Sequence, residues 1–294
     1  MIGAVMTVAG VDRAIITVSY GSTDVLGPFL ASVARTSAVE PIIVVADNLA
    51  EQTIARLASA SGARYIALPN NPGYGGAVNA AVADLPDSVH WVLISNPDVV
   101  LGEGALDALI ATAGESDDIG AVGPAILRQD GSVYPSARKV PSLRTGVGHA
   151  LFAEVWPGNP WTQRYRQDDD LARRDAGWLS GACVLVRREA FDAVGGFDEA
   201  YFMYFEDVDL GYRLGKHGYR NVYQPAVSVT HIGAHSTSDH SAAMLDAHHR
   251  SARRFIASKY AHWYLWPIRA TLSIGLRIRS RIARQAIGST NRER

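Results

Sequence analysis

Short apolar runs, rich in β-branched residues, recur along the first half of the chain at residues 14–19 (AIITVS), 41–46 (PIIVVA), 64–68, 91–95 (WVLIS) and 119–123. Their length and continuity predict buried strands. Between them, apolar positions return at helical spacing over residues 25–35, 51–60, 77–83 and 104–113. Residues 70–76 gather Asn, Pro and Gly and predict a loop. Strands alternating with helices of about ten residues imply βαβ units, so an α/β fold around a mixed, mainly parallel sheet is expected.

The alternation then decays. Residues 124–175 are rich in Pro, Arg and Trp and are expected to be irregular. Order returns with a strand over 177–187 (GWLSGACVLVR), a short helix over 189–194, a helix over 206–217 and a strand over 221–229. Residues 237–294 differ again: aromatic and aliphatic positions interleave with arginines, which predicts a basic amphipathic helical tail. The expected division is a body over 1–236, with halves of about 1–123 and 124–236, and a tail over 237–294.

Charge sharpens that division. The net charge is only -1, but residues 248–294 hold eleven Lys or Arg against one acid, Glu293. The rest of the chain is acidic, with seventeen bases and twenty-eight acids. Trp263, Tyr264 and Trp266 suit a membrane interface, and the arginines suit anionic lipid; a helix packed on the body with a solvated basic face is the alternative. Cys183 is the only cysteine, so no internal disulfide forms and a reducing compartment fits. Residues 1–11 lack a basic leader, and no uncharged apolar run reaches the roughly 18–20 residues that span a bilayer. The body is therefore expected in the cytoplasm.

In a parallel sheet, ligands bind outside the carboxyl ends of the strands. Four loops lie there: Ser19, Tyr20 and Gly21; Asp47 and Asn48; residues 70–76; and Asn96, Pro97 and Asp98. Asp98 suits a hard cation such as Mg2+ or Mn2+ bridging two phosphates, or else a turn. Asp47 suits the imide N–H of a pyrimidine, or a helix N-cap. In the loop Asn71, Gly73, Gly76, with Asn79 beyond it, the glycines allow close backbone approach to a ligand ahead of a helix N-terminus. This is neither the dinucleotide fingerprint nor a Walker loop, which disfavours a nicotinamide oxidoreductase. Glu206, Asp207 and Asp209 crowd three acids at a helix start behind Phe202, Tyr204 and Phe205. Such acids repel unless a ligand, metal or cation offsets them or the site faces water; a helix start by itself favours acids, but aromatic walls beside them suit a sugar ring and raise proton affinity. His231, at a strand end, is a metal ligand or a structural histidine. A non-catalytic binding module has no need of Asp98 and Asp207 together.

Taken in order, Asp47–Asn48, Asn71-x-Gly73-x-Gly75, Asn96–Pro97–Asp98, Trp178–Leu179–Ser180–Gly181, Gly195–Gly196–Phe197–Asp198, Phe205–Glu206–Asp207–Val208–Asp209 and His231 resemble the family 2 inverting glycosyltransferases of the GT-A fold. The resemblance runs from about residue 14 to 236. It implies that Asp47 reads a pyrimidine and that Ser19, Tyr20, Asn71, Gly73, Gly76, Asn79 and Asn96 contact the nucleotide. It further implies that Asp98 and His231 hold Mg2+ or Mn2+, and that Asp207 is the catalytic base, with Glu206 and Asp209 orienting it or the acceptor. Two positions depart from the family pattern: Asn96 replaces the first acid of Asp-x-Asp, and Gly21 stands where many members have Asn.

Residues 131–138 (GSVYPSAR), 156–161 (WPGNPW) and 201–210 (YFMYFEDVDL) resemble the rhamnose-transferring branch that serves actinobacterial cell-wall linker synthesis. That implies dTDP-L-rhamnose as nucleotide-sugar donor and a polyprenyl-diphosphate-linked GlcNAc as acceptor, met at the inner face of the cell membrane. Galactofuranose, glucose or GlcNAc transfer is the alternative. No nucleic-acid partner is implied, and a homo-oligomer stays open.

Overall fold

The computed structural model describes residues 11–142, 171–233, 242–267 and 270. Its strands are β1 (Arg13–Ser19), β2 (Ile42–Asp47), β3 (Arg64–Ala67), β4 (Trp91–Ser95), β5 (Val99–Leu101), β6 (Ile119–Leu127), β7 (Val133–Tyr134), β8 (Ala137–Arg138), β9 (Arg174–Ala176), β10 (Trp178–Leu179), β11 (Cys183–Arg187) and β12 (Arg220–His231). Its helices are α1 (Thr23–Val33), α2 (Gln52–Ala60), α3 (Gly73–Ala83), α4 (Ala105–Ala113), α5 (Arg188–Ala193), α6 (Glu206–Lys216) and α7 (Ala242–Lys259).

The main sheet runs in the order β3-β2-β1-β4-β11-β6-β12-β5, with β7 beside β6 and β9 beside β12. The first four strands are parallel. β11 then enters antiparallel between β4 and β6, which makes the sheet mixed as expected. Successive side chains take opposite faces. Ile16, Val18, Val44, Ala46 and Ile94 pack under α3 and α6, while Ile15, Val45 and Leu93 pack under α1 and α4. From β1 the chain goes to β2 on one side and returns as β4 on the other. That reversal opens a crevice at the strand ends.

Several boundaries depart from the sequence expectation. α3 begins at Gly73, inside the expected loop. β6 continues through Pro124 to Leu127. Proline cannot donate to a ladder, and β12 shifts register between Gln224 and Ser228, opposite Pro124 and Ala125. The 124–175 stretch expected to be irregular contains β7, β8 and β9; residues 143–170, with the 156–161 motif, lie outside the described residues. The expected strand over 177–187 is two strands broken at Ser180, Gly181 and Ala182.

Part of the segment expected as the tail, α7, packs on the body. Phe255 of α7 is 2% exposed against Tyr201 and Val208 of the body, Ser251 Oγ donates to Met203 O at 2.8 Å, and Arg254 pairs with Asp198 at 2.8 Å. Apolar burial of this size draws the first part of the tail onto the body.

Candidate functional site

The β4 strand ends in Asn96, Pro97 and Asp98, and β5 follows at once. β5 pairs antiparallel with the end of β12, setting His231 opposite Val99. As a result His231 Nε2 stands 2.9 Å from Asp98 Oδ1, and Ile232 N donates to Asp98 O at 2.8 Å. The pair offers one hard carboxylate oxygen and one imidazole nitrogen. No third His, Cys, Asp or Glu joins them among the described residues. Mg2+ and Mn2+ sites at phosphates commonly use one or two protein groups and complete the shell with substrate oxygens and water. The pair thus fits a cation shared with a diphosphate.

The same loop reaches the acidic helix start. Asn96 N donates to Ala182 O at 2.9 Å. Beside it, Gly181 N donates to Asp207 Oδ2 at 3.1 Å, and Gly181 O accepts from Tyr74 Oη at 2.7 Å. Tyr74 is the hub: burial, followed by the negative charges of Glu206, Asp207 and Asp98 among others, pushes its phenol well above its ordinary range. The phenol therefore remains a donor at any working pH.

Glu206 and Asp207 share the first turn of α6. Burial, then the neighbouring Asp207 charge, pushes Glu206 up to about 8, and Glu206 Oε2 has no hydrogen-bond partner among the described residues. Burial also raises Asp207, but Gly181 N–H and Val208 N–H (2.8 Å to Oδ1) and the Arg138 charge oppose that shift. These donors favour the ionised form of Asp207. The backbone donors to Asp207, and the absence of a partner for Glu206 Oε2 among the described residues, make the two carboxyls unequal.

Other expected site residues are placed differently. Asp209 is 3% exposed and ion-paired to Arg213 Nε at 2.6 Å, with Tyr201 Oη at 3.5 Å, contacts that brace α6. Asp47 is fully buried. Its carboxylate accepts from Leu49 N, Glu51 N at 2.6 Å and Tyr65 Oη at 3.0 Å, bonds that shape the loop after β2. Ser19 is fully buried too, whereas Tyr20 is 56% exposed at the crevice. Asn79 is committed at both ends, donating to Phe197 O and accepting from Phe197 N at 2.9 Å each.

The glycine loop serves the protein's own chain. A Cβ on Gly73 (φ +82) would lie 2.3 Å from Phe202 O, and one on Gly75 would lie 2.8 Å from the Phe197 side chain. Gly76 is tight in the same way, against Pro72. Asn71 (φ 43) turns the chain into this approach, its Oδ1 accepting from Gly73 N at 3.2 Å. The loop after β3 is thereby docked onto residues 197–202, which lead into the acidic turn.

The sequence reasoning missed Tyr74, Gly181 and Arg138 as site residues. Tyr74 had one visible signal, an aromatic side chain set among glycines at a strand end.

Comparison with known proteins shows the family and the fold. The model of glycosyltransferase-like family 2 matches residues 12–254. The chain is 44% identical over 280 residues to an N-acetylglucosaminyl-diphospho-decaprenol L-rhamnosyltransferase of Mycobacterium tuberculosis, covering 91% of each. It is 39% identical over 82 residues to the rhamnosyltransferase WbbL of Escherichia coli, a match to 28% of this chain and 31% of that one. Its fold is similar to a mannosyltransferase of Pyrobaculum calidifontis solved with GDP-Man and Mn2+. That likeness has a TM-score of 0.56 at 15% identity and covers 89% of this chain and 69% of the other. The expected GT-A architecture is thus shown.

Proposed function

The chain belongs to glycosyltransferase family 2, and we propose that it transfers L-rhamnose from dTDP-L-rhamnose to a polyprenyl-diphosphate-linked GlcNAc with inversion at the anomeric carbon. The observation that carries the donor and acceptor is the 44% identity spread over 91% of both chains. Support for the chemistry comes from Asp98, His231 and the Glu206–Asp207 pair around Tyr74.

In this reading Asp207 accepts the proton of an acceptor hydroxyl. The hydroxyl oxygen bonds to the anomeric carbon as the bond to dTDP breaks, and dTDP leaves with the electron pair. Asp98 and His231 would hold Mg2+ or Mn2+ against the diphosphate. When bound, such a cation supplies charge neutralisation for the leaving group. Gly181 N–H fixes the direction of Asp207, and neutral Glu206 keeps a second negative charge out of the pocket. Tyr20, Asn71 and Asn96 line the donor side. Phe202, 47% exposed at the acidic turn, offers an apolar face to a sugar ring.

The acceptor implies a membrane surface. No helix among the described residues is long and apolar enough to cross a membrane. Trp263, Tyr264 and Trp266 are 81%, 59% and 61% exposed beyond α7, which supports peripheral contact at the cytoplasmic face.

A donor panel tests the reading. With Mg2+ or Mn2+ and a lipid-diphosphate GlcNAc acceptor, dTDP-L-rhamnose should give a rhamnosylated lipid and dTDP. Product from UDP-galactofuranose, UDP-glucose or UDP-GlcNAc, and none from dTDP-L-rhamnose, would contradict it.

A further inference from the structure

The residues that deliver Glu206 and Asp207 stand in an unfavourable backbone. Tyr204 (φ 65) and Phe205 (φ 68) are consecutive non-glycine residues in the left-handed region. Bulky side chains adopt it only where the surroundings impose it. Residue Asp209 N bonds to Phe205 O at 2.9 Å, so α6 starts directly from this turn. A relaxation at Tyr204 or Phe205 would re-aim the first turn of the helix.

Two elements impose the conformation. On one side Phe202 O accepts from Tyr74 N at 3.3 Å and rests against Gly73. On the other side stands α7. His248 packs its ring at 5.6 Å from Tyr204 and 5.4 Å from Phe205. Ser251 Oγ donates to Met203 O at 2.8 Å. Phe255 contacts Phe205 at 5.8 Å and is buried with Tyr201 and Val208. Arg254 lies over the Tyr201 ring at 5.4 Å. Residues 248, 251 and 255 fall on one face of a helix. That face meets Tyr201, Met203, Tyr204 and Phe205 in succession.

We propose that α7 is a positioning element for the reaction: His248, Ser251 and Phe255 hold the left-handed turn that aims the Glu206–Asp207 pair, although they touch no substrate. The inference rests on the reading of Asp207 as the base. Ser251, buried at 6% exposure, carries the most direct bond to the turn, and its loss removes one hydroxyl without emptying a core. Misplacement of a base by a fraction of an ångström lowers turnover and leaves donor binding on the β1–β4 side untouched.

The test compares Ser251→Ala, Ser251→Thr and the double variant His248→Ala with Ser251→Ala in the full chain. Thermal unfolding, dTDP affinity by calorimetry and the pH dependence of kcat with dTDP-L-rhamnose are measured for each. The proposal expects Ser251→Ala to lower kcat by about tenfold and the double variant by up to about 100-fold. It also expects the acid limb of the kcat profile to move, dTDP affinity to stay within about twofold, and Ser251→Thr to recover turnover. Unchanged kcat and pH profile in the double variant would overturn it, as would a fall in kcat matched by equal loss of dTDP affinity. Asp207→Asn is run alongside: if that variant keeps its turnover, the base reading fails instead, independently of α7.

Discussion

His231 Nε2 stands 2.9 Å from Asp98 Oδ1 across 133 positions of sequence. The contact follows from strand pairing: β5, three residues long, lays the chain just past Asp98 against the last residues of β12. Neither residue alone distinguishes a ligand from a turn or a structural histidine. The pair follows Asn96, whose N–H bonds to Ala182 O next to the Gly181–Asp207 contact.

If the pair holds a cation with the donor diphosphate, Asp98→Asn and His231→Ala should each weaken dTDP binding in Mn2+ by more than about tenfold, while binding without metal changes little. Calorimetric titration of dTDP with and without Mn2+ reads this directly. Equal losses in both conditions would remove the metal role.

Glu206 makes stability depend on pH in a defined sense. Its acid is raised from an ordinary 4.5 to about 8 in the folded protein. The folded state therefore binds more protons than the unfolded state between those values, and stability falls as pH rises through that window. Glu206→Gln removes the ionisable group. Its Tm relative to the parent should improve from pH 5 to pH 8 and then level off. A Tm difference that is flat across this range would mean Glu206 is not held neutral.

Asn79 bonds Phe197 at both ends of its amide. Asn79→Ala leaves the Phe197 N–H without that acceptor and should cost about 1–3 kcal/mol of stability, read by denaturant unfolding. The KM for donor should remain near that of the parent. A selective rise in donor KM with unchanged stability would show that Asn79 meets the nucleotide instead.

The exposed Trp263 and Trp266 make the membrane claim separable from catalysis. Replacing both with Ala should weaken binding to vesicles containing anionic lipid, while turnover on a short, soluble acceptor holds. Vesicle binding that persists undiminished would move lipid contact away from this aromatic turn.

Much of this fold is legible in sequence because its central strands are largely buried on both faces and its helices have regular spacing. β1, β2 and β4 need no tertiary context to be recognised. The misses have local physical causes. Pro124 reads as a breaker, yet β12 bulges to accommodate it. Gly73, Gly75 and Gly76 read as a loop, yet they begin α3, with Gly73 and Gly75 close against Phe202 and Phe197. The acids were visible as a cluster, but not their division of labour. Asp209 differs from Asp207 only in facing Arg213 instead of Gly181. A buried carboxylate such as Asp47 looks the same in sequence whether it holds a ligand or its own loop. The support that α7 gives to the acidic turn has no local signature, since it depends on where residues 242–259 dock.

The account turns on Asp207 as the group that takes the acceptor proton, its carboxyl held by Gly181 N–H and Val208 N–H. Single-turnover transfer by Asp207→Asn, with dTDP affinity measured on the same preparation, tests it most directly. A fall of about 10²- to 10⁴-fold in transfer with dTDP affinity retained is the predicted result. Transfer at close to the parent rate would contradict it and place the base elsewhere.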